Sequence, residues 1–246
     1  GIASFISFVF LFSAILFSNY RIMLLNIYKS INKWRISYIK EIFPFQWKIA
    51  LSWISGYLIF QLFNPVLFAT EGSKIAGQMG MTLVAINGIS SISISWINTK
   101  VPLFSKLIAK KRFKELDSIF NKTVKQLSMI NFILTLILIC FILLSVYFKL
   151  SIAERFLDIS LIIILGIASF FNQFVFAWAA YLRSHKKEPL LVNSIVLGIL
   201  ISISVLISAY YYGVTAVVIS YSAITLFVGV PWTYYVFQNK KREWHD

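Results

Sequence analysis

Seven apolar runs of about 17 to 25 residues tile almost the whole chain, and that is the length a helix needs to cross a hydrocarbon layer of roughly 30 Å. They cover residues 2–17, 47–69, 75–97, 127–148, 156–182, 190–210 and 214–237. The third is the most polar, diluted by Gly77, Gly80, Gly88, Asn87 and several serines. Composition agrees: 59% of residues are hydrophobic and 13% charged, against about 45–50% and roughly 25% in a soluble domain. The expected fold class is therefore all-α, a polytopic membrane helix bundle with seven transmembrane spans.

Several chemistries are excluded early. Cys140 is the one cysteine and lies within an apolar run, so no disulfide framework is expected. His185 and His245 both sit in charged flanks, which leaves no cluster with metal-ligand spacing and no Ser/His/Asp arrangement. No glycine pattern matches a phosphate-binding or dinucleotide-binding turn. The expectation is a protein that is not an enzyme and uses no cofactor or metal.

Charge placement tests the span count independently, because Lys and Arg accumulate in short cytoplasmic loops. Alternate loops collect six basic residues in 18–48, eight in 98–126, three in 183–189 (Arg183, Lys186, Lys187) and three in the tail (Lys240, Lys241, Arg242). The opposite side keeps only Lys74, Lys149 and Arg155 of the 23. Adding or removing one span destroys this separation, so seven spans with a cytoplasmic C-terminus are expected. The net charge of +14 then reports orientation and attraction to anionic headgroups, and calls for no nucleic acid. The lipid bilayer is the expected partner.

Gly1 opens the chain and enters an apolar run at once, the expected appearance of a fragment of a longer protein. The expected organisation is a first helix (1–17), a basic cytoplasmic linker (18–46) closed by Phe43-Pro44-Phe45, a transmembrane bundle (47–237) and a cytoplasmic tail (238–246). Within 98–126, Phe104, Leu107, Ile108, Leu116, Ile119, Phe120 and Val124 recur at helical spacing with lysines opposite. Two arrangements fit equally: a helix lying in the headgroup plane, or a helical extension joining two spans. The outer loops, about 70–74, 149–155 and 211–213, are too short for a catalytic domain.

No ionisable residue falls near a span midplane, although Lys48, Lys74, Lys100 and Asp158 mark span ends. Uncharged polar groups do collect. At 100° per residue, Trp53, Tyr57, Gln61 and Asn64 share one face of the second span. On the third, Gly80, Asn87, Ser91 and Asn98 fall within about 40°. Two such stripes either line a wet cavity or pack as small residues and interhelical amides. Pro65 bears on the choice, because it cannot donate to the Gln61 carbonyl, and interrupted helices at this depth are tolerated where backbone lines a cavity or is buried in protein. Asn172 and Gln173 in the fifth span, with Asn131 and Asn193 near span ends, read as helix glue.

The run Phe43-Pro44-Phe45-Gln46-Trp47-Lys48-Ile49-Ala50-Leu51-Ser52-Trp53-Ile54-Ser55-Gly56-Tyr57, followed by Phe63-Asn64-Pro65-Val66, Ala76-Gly77-Gln78-Met79-Gly80, Ser95-Trp96, Lys100-Val101-Pro102, Leu116-Asp117 and Phe120, resembles polysaccharide-biosynthesis flippases of the multidrug/oligosaccharidyl-lipid/polysaccharide exporter superfamily. The detailed likeness covers about a third of the chain. It implies two bundles of six helices joined by a cytoplasmic linker, of which this chain would be one preceding helix, the linker and the C-terminal six-helix bundle. It further implies a bacterial cytoplasmic (inner) membrane protein that flips a lipid-diphosphate-linked oligosaccharide, driven by an ion gradient or membrane potential, together with an N-terminal bundle of the same protein. The polar faces found above make Trp53, Tyr57, Gln61, Asn64 and Pro65, opposite Asn87 and Ser91, the expected substrate cavity, and since no cation lies in its core the charges for the diphosphate would come from the N-terminal bundle or from Lys48 and Lys100 at the rim.

A multidrug exporter of the same fold is the alternative, and it would usually want an acidic residue within the bundle. A glycan polymerase or ligase would need a larger outer loop. The charge pattern generates a direct test. With Cys140→Ser as background, Lys74→Cys and Lys111→Cys should be labelled by an impermeant thiol reagent from opposite faces of the membrane, and labelling of both from outside contradicts seven spans.

Overall fold

The computed structural model describes residues 9–11, 13, 20–30 and 37–245, all of it helix, turn or loop, with no strand among them. Of the expected first span, only 9–11 and 13 are described; the remainder of 2–17 lies outside. Two compact units divide at Pro44 and Phe45, where proline interrupts the apolar pattern. The first contains helix α1 (Tyr20–Ser30) and a π-helical turn (Tyr38–Ile42).

From there the chain runs through α2 (Phe43–Gln61), α3 (Phe63–Glu71), α4 (Ser73–Asn98), α5 (Val101–Ala109), α6 (Phe113–Tyr147), α7 (Ile159–Arg183), α8 (Leu191–Ile224), a π-helical turn (Thr225–Gly229) and α9 (Val230–His245). Among the described residues, four helical runs have the length and apolarity to cross a membrane: Ser73–Ala109, Phe113–Tyr147, Ile159–Arg183 and Leu191–His245. The chain thus has the build of a multi-pass membrane protein.

The fourth run is not straight. Twelve residues of α-helix rise about 18 Å, yet the Ser208 and Ser220 hydroxyls hydrogen-bond at 3.1 Å. The chain reverses at Gly213 (φ 76°, ψ −169°), a backbone region open essentially to glycine alone. Gly72 (φ 88°, ψ 180°) turns the α3–α4 corner in the same way. The two legs of α8 and the following α9 therefore pack as antiparallel partners, and Thr233 of α9 meets Asn193 at the start of α8.

The expected span 47–69 is likewise two helices. Pro65 is the third residue of α3, inside the first turn, where its missing N–H was an orphan donor in any case. The ladder restarts with the Val66 amide donating to the Leu62 carbonyl at 3.1 Å. This break lets α3 aim Phe63 and Leu67 into the core, both fully buried, with the Phe63 ring edge-on to Tyr221 at 5.2 Å. The helix before it, α2, meets α8 through small residues: Ser52 donates to Ser194 at 2.8 Å, and Ser55 lies against Gly198.

Of the segments expected to share a side, 98–126, 183–189 and the tail converge. At one pole α5 and α6 form a helical hairpin that prolongs α4 and the apolar part of α6, so 98–126 is a helical extension. Phe104, Leu107, Leu116 and Phe120 bury their rings and chains against Tyr181, Leu182, Leu190 and Phe237. The Tyr181 hydroxyl donates to Asp117 at 2.7 Å, and Lys241 of α9 pairs with the same carboxylate at 2.8 Å. His185 lies beside Trp244 at 4.9 Å, and burial holds its imidazole below the usual histidine range. At the other pole Gln78 donates to the Glu154 carbonyl at 2.8 Å, the Leu157 amide donates to Thr82, and Glu71 abuts Gly213.

Two helices end without the expected glycine. Lys111 (φ 55°) and Lys149 (φ 51°) take the left-handed position after α5 and α6. In each case paired reverse hydrogen bonds close the end, as from Arg112 to Leu107 at 3.0 Å and from Lys111 to Ile108 at 2.9 Å. Opposite substitutions should have opposite effects. Gly213→Ala should lower stability by about 1–3 kcal/mol, since a Cβ there also comes within 3.0 Å of the Glu71 carboxylate. Lys111→Gly should raise it by about 1 kcal/mol. Thermal midpoints in detergent check both, and equal midpoints would contradict the assigned backbone.

Candidate functional site

α2, which touches α8 through Ser52, Ser55 and Gly198, borders a cavity of about 420 Å³ together with α7, α8 and α9. From α2 come Trp53, Tyr57 and Gln61; from α7 Asn172, Phe176 and Arg183; from α8 and beyond Asn193, Ser194, Tyr221, Thr225 and Thr233. Trp53 and Tyr57 are 69% and 65% exposed, so the cavity opens sideways past their rings.

Helical irregularity concentrates on this wall. Gln61 is the last residue of α2, immediately before the break at Leu62, and Thr225 and Gly229 bound the π-helical turn; all three line the cavity. A π turn inserts an extra residue per hydrogen-bonded ring and resets the faces that follow. Here it brings Thr233, fully buried, against Asn193: its hydroxyl donates to the Gly229 carbonyl at 2.8 Å and lies 3.4 Å from the Asn193 side-chain oxygen. The Asn193 amide nitrogen is buried and makes no hydrogen bond among the described residues.

The residues singled out from sequence divide three ways. Trp53, Tyr57 and Gln61 are brought together in this cavity. Asn64 and Pro65 lie beyond the break, in a shallow second groove of about 540 Å³ shared with Phe68, Gly77, Gly80 and Met81; Gly80 is what lets the Asn64 amide lie so close to α4. Asn87 and Ser91 line neither, being exposed on α4 with the Ser91 hydroxyl turned back to the Asn87 carbonyl at 2.8 Å. Lys48 is half-buried with its ammonium 6.0 Å from the Trp47 ring, one turn before Ser52, and Lys100 is exposed ahead of α5.

Other wall residues escaped a reading made one helix at a time. Asn172 and Asn193 read as packing amides, yet both line the cavity. Arg183 entered only as a loop charge, although it caps the cavity at the basic pole. Its guanidinium is held side-on by Glu188, with Nη2 donating to Oε1 at 3.1 Å and Nε to Oε2. The signal for Arg183 was its place one residue past an apolar run, at headgroup depth. Gln173 and Asn131 remain outside the cavity: both are buried, and the Gln173 amide makes no hydrogen bond among the described residues.

No carboxylate is among the lining residues, and among the described residues no group of His, Cys, Asp and Glu is placed to hold a metal ion. The cavity offers aromatic faces, hydroxyls, amides and one guanidinium. Such a surface binds by stacking and hydrogen bonding. If it is wet, Tyr57→Cys, Gln61→Cys and Asn172→Cys, each with Cys140→Ser, should react readily with a water-soluble thiol reagent. Ile137→Cys, on the exposed apolar flank of α6, should stay inert, and equal rates at all four positions would count against an aqueous cavity.

In comparisons with known proteins, the chain matches no family model, no curated protein and no solved structure.

Proposed function

We propose that this chain forms the C-terminal bundle of a two-bundle membrane transporter that moves a lipid-diphosphate-linked oligosaccharide across the bacterial cytoplasmic membrane. The observation that carries the proposal is the laterally open cavity behind Trp53 and Tyr57. A lipid-linked substrate must keep its acyl or prenyl chain in the bilayer while its polar head passes through protein, and a sideways mouth permits that. Two large exposed aromatics at the mouth suit sugar rings, whose C–H faces stack on them. The hydroxyls and amides deeper in the cavity suit sugar hydroxyls. The absence of carboxylates on the wall weighs against a cationic drug as cargo.

On this proposal α2 with α3, α4, α6, α7 and the two legs continuing from α8 into α9 are six crossings. The basic pole faces the cytoplasm. Alternating access would rock this bundle against a second one, with the exposed α2 face as part of the shared cavity.

The test separates cavity from packing. In a strain whose surface glycan depends on this transporter, export is measured per molecule of inserted protein. Tyr57→Ala and Gln61→Leu should each cut export severalfold at unchanged abundance, whereas Ile137→Leu should leave it unaltered. Normal export from both cavity variants would sink the proposal.

A further inference from the structure

The last turn of α9 is fastened to the ends of α6 and α7 through His185 and His245, and the hydrogen bonds fix the tautomer of each. His185 Nδ1 lies 3.2 Å from the Tyr181 carbonyl oxygen; a carbonyl only accepts, so Nδ1 carries the proton and donates. The other ring nitrogen, Nε2, is then the bare one, and it is buried without a hydrogen-bond partner among the described residues. At the Tyr181 hydroxyl the roles follow from its single proton, which goes to Asp117 at 2.7 Å. His245 Nε2, 3.2 Å from the same oxygen, must therefore donate. This chain of bonds ends on a carboxylate whose other oxygen pairs with Lys241 at 2.8 Å, and the His245 ring stacks on Phe113 at 4.2 Å.

The arrangement suits His185 only while it is neutral. A second proton would have to go to Nε2, where the new N–H finds no acceptor, and a buried donor without a partner is costly, more so when charged. Burial above all, then the neighbouring charges, opposes that proton. His245 lies 5.8 Å away between ring centroids, and Lys187 holds its ammonium 4.8 Å over Trp244, the ring that covers His185 at 4.9 Å. Asp117 of α6 attracts an imidazolium, but its oxygens are already engaged by Tyr181 and Lys241. α5 meets this turn through the Ser105 hydroxyl, 3.4 Å from the Ser184 carbonyl.

We infer that the C-terminal turn is an acid-released clasp: it docks on the α5–α6 hairpin and the end of α7 while His185 is neutral, and lets go when His185 takes a proton at Nε2. Docking lowers the proton affinity of His185, so the docked state is fully stabilised above the unperturbed histidine value of about 6.5 and loses that stabilisation as pH falls through the docked value. Release would free Asp117 from Lys241 and uncover Phe113 and the Tyr181 hydroxyl. The clasp stands on these contacts alone and does not depend on the transport proposal.

The experiment uses the whole chain in lipid nanodiscs on a Cys140→Ser background, with spin labels at Lys110→Cys and Glu243→Cys, both exposed. Between about pH 8 and about pH 5.5, the short distance between labels should give way to a longer and broader distribution. His185→Asn, whose amide nitrogen takes the place of Nδ1 and does not titrate, should keep the short distance at both. A wild-type distance that ignores pH overturns the clasp, and so does a full pH response in His185→Asn. Should that variant be released at both pH values, a nuclear magnetic resonance titration decides, since the chain has only two histidines and His245→Gln identifies the two signals. Removing residues 240–246 should move the His185 midpoint up toward about 6.5, and an unmoved midpoint overturns the proposal.

Discussion

In hydrocarbon, a backbone N–H or C=O left without a partner costs several kcal/mol, and continuous helix is the cheapest way to satisfy every one of them along an apolar run. The places where this chain gives up continuity are consequently the places with structural content. Two lie within apolar runs, Leu62 between α2 and α3 and the π-helical turn Thr225–Gly229, and a third, Gly213, falls between two runs. Gly213 sits at a pole, where a reversal exposes its backbone to water or headgroups. The other two border the same cavity, where freed groups can be wetted. The architecture around the cavity follows from that pairing, because the break at Leu62 lets α3 anchor in the core through Phe63 while α2 stays only lightly attached.

The poles differ in kind. At the basic pole an aromatic cluster around the buried Tyr181 ring ties three separate segments together, with Phe120 at 4.8 Å and Phe237 at 5.3 Å. Asp117 accepts from Tyr181 and pairs with Lys241, so one carboxylate joins α6, α7 and α9. The opposite pole is packed mainly by aliphatic side chains, with Leu157 and Leu161 against Ala76, Met79 and Val217, and the Gln78–Glu154 and Leu157–Thr82 bonds lie beside them. The cavity's charged residue, Arg183, belongs to the aromatic end.

Much of this was legible from the chain. Apolar run lengths located the helices, and the charge count grouped 98–126, 183–189 and the tail, which meet in space through Phe104, Tyr181 and Phe237. Trp53, Tyr57 and Gln61 were found on one face because α2 is regular through all three. Asn64 was grouped with them by the same 100° rule, which holds only while the helix is unbroken; the restart at Leu62 carried it into another groove. Asn193 and Arg183 were opaque for a different reason. A helical wheel reports which residues share a face, but not which faces a folded-back partner will enclose, even though the loop expected at 211–213 had located the reversal that the structure places at Gly213. The ends of α5 and α6 were hidden in their own way, since lysine stands where glycine is the usual sign of a left-handed cap.

The reversal at Gly213 also bears on how such a protein is made. Residues 210–213 are Tyr-Tyr-Tyr-Gly, three exposed phenols and no charge, whereas the turn at 149–155 carries Lys149, Glu154 and Arg155. Moving an uncharged tip through the bilayer involves no ion to dehydrate, and tyrosines come to rest at the far interface. The legs on either side already satisfy each other's hydroxyls through Ser208 and Ser220. The two legs on either side of Gly213 are therefore able to enter the membrane together as a preassembled hairpin, with no need for the insertion machinery to thread each helix in turn.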